Sequence, residues 1–485
     1  MATNPYFTQY HTQRFSFIGS PQQRDGSYQK DQRFLNVYPE LIKSPISDGK
    51  KYYLKKRPGV ATNRTFGSTG TGRAIFYWAS NTTYYTVIGN TLYANGTAIL
   101  TISDGTTGPC GFCEFRTDTV DELFFCTGMS AWTITTSNSL TLVSGATNFP
   151  IPHIPQPIFL DAYIFLAASG TQTIHNSNLN DPTTWPADGF IDVEMFPDNL
   201  VGLSKSQNYL AAIGMGSVEW LYDNANSTGS PLQRNAPAVS QFGCPAPQTI
   251  SQTEQELMLV GQTGNGGRTV WTLSGFQPSE IATAPVREAL DAEGSSISSA
   301  TGFTIQCAGH KWYVLNLKAN SRTFVYDFEE QMWHEWSSGT GQAYFGYDYV
   351  ADSGNGQPVL LSSNSTNTTV ALSPTTYTDL GNVINCMVVT VKLDFDTIKR
   401  KRLYRLTLIT DSPAGDNQGI NMMVSWSDDD YNTFTTGVPL DVSAVYPTIM
   451  QLGLTRRRAF KFVYQQPYPL RMESFELDII QEVRR

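Results

Sequence analysis

Histidine, cysteine and clustered carboxylates are the side chains that could do chemistry in this chain of 485 residues, and each is sparse or poorly spaced. The five histidines stand at 11, 153, 175, 310 and 334, and none has a partner four residues away to share a metal. His153 lies among prolines and His334 within Trp-His-Glu-Trp, settings that point to packing. Cys110-Gly-Phe-Cys113 is a single CxxC; a zinc site needs a second pair or two matched histidines. The cysteines, with Cys126, Cys244, Cys307 and Cys386, read as small core residues of strands. No GxSxG elbow is present, and Gly261-Gln-Thr-Gly-Asn-Gly-Gly267 joins two strands without a following helix. That makes it a hairpin turn rather than a phosphate cradle.

Two further features carry charge. Ser427-Asp-Asp-Asp-Tyr-Asn-Thr-Phe434 is similar to an Asp-box hairpin, with Tyr431 and Phe434 in place of its Gly and Trp. Such a turn is a folding device in which an Asp caps its own loop. The triplet lacks the spaced ligands and closing Glu of a calcium loop. Three basic islands stand apart: Lys50, Lys51, Lys55, Lys56 and Arg57; Lys399, Arg400, Lys401, Arg402 and Arg405; Arg456, Arg457, Arg458 and Lys461. In a chain of net charge −9 they suggest docking on an acidic partner or a phosphate backbone. The alternative is solvated turns beside strands.

The elements that must position these residues are strands. Short alternating runs separated by Gly, Asn, Asp and Ser turns begin near residue 70 and recur in units of roughly 35–55 residues, the spacing of propeller blades. The sixth unit is the plainest, with strands over 304–307, 311–315, 323–327 and 332–336; residues 341–372 give a weaker seventh. One blade cannot bury both faces of its sheet, so blades must stack about an axis. The expected fold is all-β. Residues 1–65 form an N-terminal arm with platform strands, 66–378 a β-propeller of six or seven blades, and 379–485 an antiparallel β-sandwich platform. A short helix is expected over 285–291 (PVREALD).

Composition agrees. Hydrophobic residues make up 40% and aromatics 12%, which excludes a disordered chain, and charged residues at 15% lie below the usual ~25%. The negative balance argues against a protein that grips nucleic acid tightly over its whole surface. Residues 1–15 carry neither a basic n-region nor an apolar h-region, so no Sec signal peptide is expected, and no apolar run reaches the ~18 residues of a membrane span. Sequons at Asn63, Asn81, Asn95, Asn226, Asn364 and Asn367 read as by-products of a Ser/Thr/Asn-rich composition.

Several segments, in order and spacing, resemble the packaged-DNA stabilisation proteins of short-tailed phages, also called tail nozzle or tail hub proteins. They are Asn36-Val-Tyr-Pro-Glu40 with Arg57-Pro-Gly59, and Ser177-Asn-Leu-Asn-Asp-Pro-Thr-Thr-Trp185. Gly216-Ser-Val-Glu-Trp-Leu-Tyr-Asp223, the block from Gly243-Cys244 to Gly275-Phe-Gln-Pro-Ser-Glu-Ile-Ala-Thr283, Trp426-Ser-Asp-Asp429 and Arg456-Arg-Arg-Ala-Phe-Lys-Phe462 complete the set. The resemblance implies a structural virion protein without an active site, metal or cofactor, assembled in the host cytoplasm into a tail ring of typically six copies. Its implied partners are a head-to-tail adaptor, a tail fibre, tailspike or needle protein, and genome DNA passing through the channel, with no insertion of this chain into a membrane. On that reading Lys55, Lys56, Arg57, Lys399, Arg400, Lys401, Arg402, Arg456, Arg457 and Arg458 are the candidate platform contacts. The competing classes are a propeller glycosidase or polysaccharide depolymerase, which needs two carboxylates in a cleft, and a carbohydrate-binding adhesin.

Overall fold

β-Branched and aromatic residues in short alternating runs, punctuated by Gly and Asn turns, give strands almost throughout. The computed structural model describes residues 11–18, 32–42, 51–226, 228–253, 256–340, 344–352, 354–411 and 419–481. Lys50 of the first basic island, Gly341 of the seventh unit, and 31 of the 65 residues of the expected N-terminal arm lie outside them. Among the described residues one α-helix occurs, Ala284–Ala292. Pro285 stands in its first turn, and Val286, Ala289 and Leu290 form its buried face. No described helix is long and apolar enough to cross a membrane. The chain forms two compact units.

The larger unit comprises residues 62–321 and 346–373. Among its described residues seven strand groups follow one another. The first takes residues 62–78 of the long strand Gly59–Trp78 with Thr83–Ile88, Thr91–Ala94 and Thr97–Thr101. The second runs from Gly111–Arg116 to Leu140–Leu142, the third from Ile158–Leu160 to Phe190–Asp192, and the fourth from Leu200–Ser206 to Leu232–Ser240. The fifth runs from Phe242–Gly243 to Gln277–Glu280. Thr301–Cys307 with His310–Leu317 makes the sixth, and Tyr349–Ala351, Val359–Leu361 and Ser365–Ser373 the seventh.

Packing closes these groups into a ring. Phe125 and Leu123 of the second meet Trp78 and Tyr85 of the first; Ile164 and Leu166 of the third meet Phe115 and Phe124 of the second. Leu203 and Leu210 join the third to the fourth, and Trp220 joins the fourth to Leu257 and Leu259 of the fifth. The Tyr313 hydroxyl donates to the Thr249 carbonyl at 2.8 Å across the fifth and sixth. The Asn316 amide donates to the Tyr347 carbonyl at 2.5 Å across the sixth and seventh. Ala351, Val359 and Leu361 of the seventh then pack on Phe66, Ile75 and Ile88 of the first. The 20-residue strand Gly59–Trp78 fastens that closure: it neighbours Ser365–Ser373, with Thr369 donating to Asn63 at 3.3 Å, before its later residues pair with Thr83–Ile88. This unit is a β-propeller.

The second unit gathers residues 1–61, 322–345 and 374–485. One sheet runs in the order Val37–Ile42, Lys51–Lys56, Arg471–Gln481, Lys401–Thr410, Thr448–Thr455, with His11–Ser16 also on Arg471–Gln481. The facing strands are Met332–Trp336, Arg33–Leu35, Cys386–Val389, Ala459–Tyr464, Asn421–Ser427 and Val438–Asp441. Between them lies a core with Leu403, Leu406, Phe475 and Leu477 from one side and Val388, Val424, Phe460 and Phe462 from the other. This is the antiparallel sandwich.

The division is not three consecutive stretches. Strands at 11–16, 33–42 and 51–56, expected as an arm with platform strands, are in the sandwich unit, and Arg322–Asp327 with Met332–Trp336, expected within the propeller stretch, belongs to that unit as well. The reason is local: Leu35 pairs in parallel with Glu335, and Arg33 Nε and Nη2 each reach the Glu335 carboxylate at 3.1 Å. The last described strand is Arg471–Gln481.

Candidate functional site

The innermost strands of the propeller enclose an axial cavity of about 810 Å³. All seven groups contribute to its wall, among them Phe76, Phe112, Ile154, Val201, Ile250, Phe303 and Tyr349. In ring-shaped folds of stacked sheets, concave space of this size is the default ligand position. The charges available in it are few. Among the described residues Asp348 is the single carboxylate of the wall, and it is already committed. Its Oδ1 accepts from Thr301 Oγ1 at 2.7 Å and lies 3.1 Å from Lys318 Nζ, and its Oδ2 accepts from the Ser363 amide at 2.8 Å. Burial alone would raise this carboxyl, but Lys318 and the Ser363 and Thr301 donors hold it below the ordinary range.

His153 faces the same cavity. The peptide bond between Ile151 and Pro152 is cis, and His153 follows it. Its Nδ1 is 3.0 Å from the Pro150 carbonyl and its Nε2 is buried with no hydrogen-bond partner among the described residues. Burial pulls the imidazole down to about 4 despite the Pro150 contact, so it is neutral at physiological pH. Cys110, also in the wall, is pushed up to about 12 by burial, which leaves it a thiol. Among the described residues no group of three or more His, Cys, Asp or Glu side chains is placed to hold a metal ion. An acid–base pair for glycoside cleavage would need two carboxylates flanking the bond. The cavity wall has one.

The Asp-box-like turn is self-satisfied. Asp429 accepts from the Thr433 amide at 2.9 Å, Thr433 Oγ1 at 2.6 Å and Ser427 Oγ at 2.8 Å, contacts that hold its carboxyl at about 2. Asp428 clamps Arg458 Nε and Nη2 at 2.8 and 2.7 Å, and Asp430 pairs with Lys392 and, at 2.6 Å, with Arg457. All three carboxylates therefore have partners within the fold.

The basic islands divide by burial. Arg57 is closed to solvent: Nε donates to Asn36 Oδ1 at 2.8 Å, Nη2 to the Ser337 carbonyl at 2.7 Å, and both Nη atoms grip Asp379. Lys56 is buried with Nζ donating to the Gln466 carbonyl at 2.7 Å, and burial lowers its pKa. Lys401 is buried on the carbonyls of Asp394 and Thr397, and Arg458 on Asp428 with Nη1 donating to the Leu452 carbonyl at 2.6 Å. As surface contacts these four are corrected: each satisfies backbone or carboxylate inside the sandwich. Lys55 is half-buried and paired with Glu40. Lys399, Arg400, Arg402, Arg456 and Arg457 are exposed. The structure brings these five together, because Lys401 pairs with Thr455 and Arg402 with Leu454 across adjacent strands, and Arg456 Nη1 donates to the Ile398 carbonyl at 3.1 Å. Ile398 and Leu454 stand exposed among them.

The segments that carried the family resemblance prove to be folding devices. Asn36 adopts φ +57°, a left-handed conformation that Asn tolerates, and its side chain binds Arg57, so two motifs of that signature meet. Gly59 must lack a side chain, since a Cβ there would sit 2.2 Å from the Thr378 carbonyl oxygen. Glu219 is buried against Arg234 at 2.9 Å. In 177–185, Asp181 caps its turn by accepting from the Thr183 amide at 2.9 Å, and Trp185 Nε1 donates to the Pro182 carbonyl at 3.2 Å. The axial wall was missed from sequence; its signal is a half-buried apolar or aromatic residue in the first strand of several groups, Phe76, Phe112, Val201 and Tyr349.

Comparison with known proteins adds a family. The model described as "Bacteriophage P22 Gp10, beta-propeller" matches residues 18–377. No curated protein matches the chain. Among solved structures, the N-terminal domain of Nup159 is similar at 10% identity and a TM-score of 0.39, over 71% of this chain and 99% of that one. The β-propeller domain of Cps50 (Swd1) from Myceliophteria thermophila is similar at 9% identity and 0.41, over 64% and 99%. PorZ, a surface component of the type-IX secretion system of Porphyromonas gingivalis, is similar at 10% and 0.38, over 78% and 46%. Likenesses this slight carry no argument about function.

Proposed function

This chain belongs to the phage stabilisation family of that match, a family of phage structural proteins, and from that premise we propose that it forms the tail nozzle. In this reading a homo-oligomeric ring of six copies sits below the portal adaptor, seals the packaged genome and conducts it at ejection. The partners are a head-to-tail adaptor, a tail fibre, tailspike or needle protein, and the genome passing through the channel between copies. The chain is a component of the virion tail, assembled in the host cytoplasm, and not an enzyme.

The observation that carries the reading is the convergence of two sequence-distant islands, Lys399, Arg400 and Arg402 with Arg456 and Arg457, on one exposed end of the sandwich. In a chain of net charge −9 such a patch favours an acidic protein face, and the exposed Ile398 and Leu454 between the cations favour protein over a phosphate backbone. The depolymerase alternative lacks a carboxylate pair in the cavity. The duplex would not run through the propeller axis, whose volume of about 810 Å³ suits a small ligand.

A nonsense mutant of the gene tests this. Particles that package genome and then lose it support a nozzle. Particles that keep their DNA yet fail to adsorb or to clear host polysaccharide overturn it.

A further inference from the structure

We propose that the axial cavity of the propeller binds a neutral oligosaccharide. Its volume of about 810 Å³ falls within the ~300–1,000 Å³ of ordinary ligand sites. The character of the wall then selects the ligand. Among the described residues no Lys or Arg lines it, which removes the charge compensation that phosphates, nucleic acids and acidic sugars require. Its one carboxylate, on Asp348, is saturated by Thr301, Ser363 and Lys318, which leaves no charge for a cationic ligand.

What remains is aromatic surface and uncharged hydrogen-bonding groups. Phe76 and Phe112 are half-buried in the wall with centroids 5.6 Å and planes 21° apart, and Phe112 stacks in turn on Phe125 at 4.9 Å, so Phe76 ends an aromatic stack at the cavity. Across the wall, Gln248 and Gln252 have no side-chain partner among the described residues and stand partly or fully exposed. A pyranose offers what this combination lacks: a flat face of C–H groups for the aromatic wall, and hydroxyls that both donate and accept for the glutamine amides. An apolar ligand would leave the amides unsatisfied.

The inference is independent of the nozzle reading. It would give the tail a point of contact with neutral surface sugars, with binding but no cleavage.

The test uses the full-length protein in saturation-transfer NMR and titration calorimetry with maltotriose and triacetylchitotriose, and with inorganic phosphate and a heparin tetrasaccharide as charged probes. Binding of a neutral trisaccharide is expected, weakened at least tenfold by Gln252→Leu or by Phe76→Ala. Ile250→Trp, which fills the space, should abolish it. Gln252 is exposed, so its variant keeps the fold even if Phe76→Ala does not. Failure of both neutral probes, binding of the charged ones alone, or neutral binding that ignores Gln252→Leu and Ile250→Trp overturns the proposal. Particles carrying Gln252→Leu should retain DNA whatever the sugar result, which keeps this test separate from that of the nozzle.

Discussion

Arg57 and Asp379 form a two-point ion pair inside the sandwich unit, Nη2 to Oδ2 at 2.6 Å and Nη1 to Oδ1 at 3.1 Å, with neither side chain open to solvent. The pair closes a node in which Arg57 also holds Asn36 and the Ser337 carbonyl and lies over the rings of Trp336 and Phe345. Segments from the beginning, middle and end of the chain are thereby fixed to one another. A buried pair adds modest net stability against an apolar replacement, but breaking one side strands a charge.

Arg57→Ala should therefore destabilise the protein by about 3–5 kcal/mol, seen as a fall in denaturation midpoint. Arg57→Met combined with Asp379→Leu should cost less than Arg57→Ala alone, because no charge is left unpaired. A single variant as stable as wild type would remove Arg57 from this structural role.

Charge reversal of the exposed patch should separate assembly from folding. Lys399→Glu, Arg400→Glu and Arg456→Glu together should leave the melting temperature close to wild type, since substitutions at such surface sites fall within about 0.5 kcal/mol each. The same variant should be missing from purified particles. Arg458→Ala should do the reverse, losing stability first, because its guanidinium is buried on Asp428 and Leu452. Normal incorporation of the triple variant would rule out this end of the sandwich as the docking face.

His153 makes stability fall in acid. Its folded pKa of about 4 lies below the ordinary 6.5, so between those values the unfolded chain takes up a proton that the folded protein refuses. Above pH 6.5 both states are neutral and nothing is lost; as pH drops towards 4 the loss grows to roughly 3 kcal/mol. His175, also lowered by burial, acts in the same direction. Melting temperatures of wild type and His153→Phe between pH 7 and 5 should diverge in slope, the variant being flatter. Parallel slopes would show that His153 is solvated.

The thiols should be inert. Burial pushes Cys110, Cys113 and Cys244 up to about 12 and Cys307 and Cys386 up to about 11, and all six cysteines are free. A rise from 9 to about 12 cuts the thiolate at pH 8 about a thousandfold. A disulfide reagent at pH 8 should leave the native protein unmodified and titrate six thiols in denaturant. Fast reaction at Cys110 or Cys113 would reopen a redox role for the CxxC.

By itself the sequence determined the kind of fold. Strand runs such as Thr304 to Cys307 and Lys311 to Leu315, bounded by tight turns, can form only short paired strands, and their recurrence needs stacking partners, hence a propeller. The core of the sandwich was equally legible, because Leu403, Leu406 and Leu408 are apolar inward positions of one strand. It also carried the family signature, since Asn36, Arg57 and Gly59 answer to steric and hydrogen-bonding demands that no other residue types meet as well.

Only the tertiary structure decided which cations face water. Lys401 and Arg402 are neighbours of like charge, yet the pleat turns one towards the Asp394 and Thr397 carbonyls and the other to solvent. Arg457 and Arg458 divide in the same way, because Asp428 lies beneath one and Asp430 beside the other. The axial cavity was likewise hidden: its wall takes residues from strands as far apart as Phe76 and Tyr349. A local pattern specifies which residues alternate, whereas the face that meets a core, and the side chains that converge on an axis, depend on pairings hundreds of residues apart in the chain.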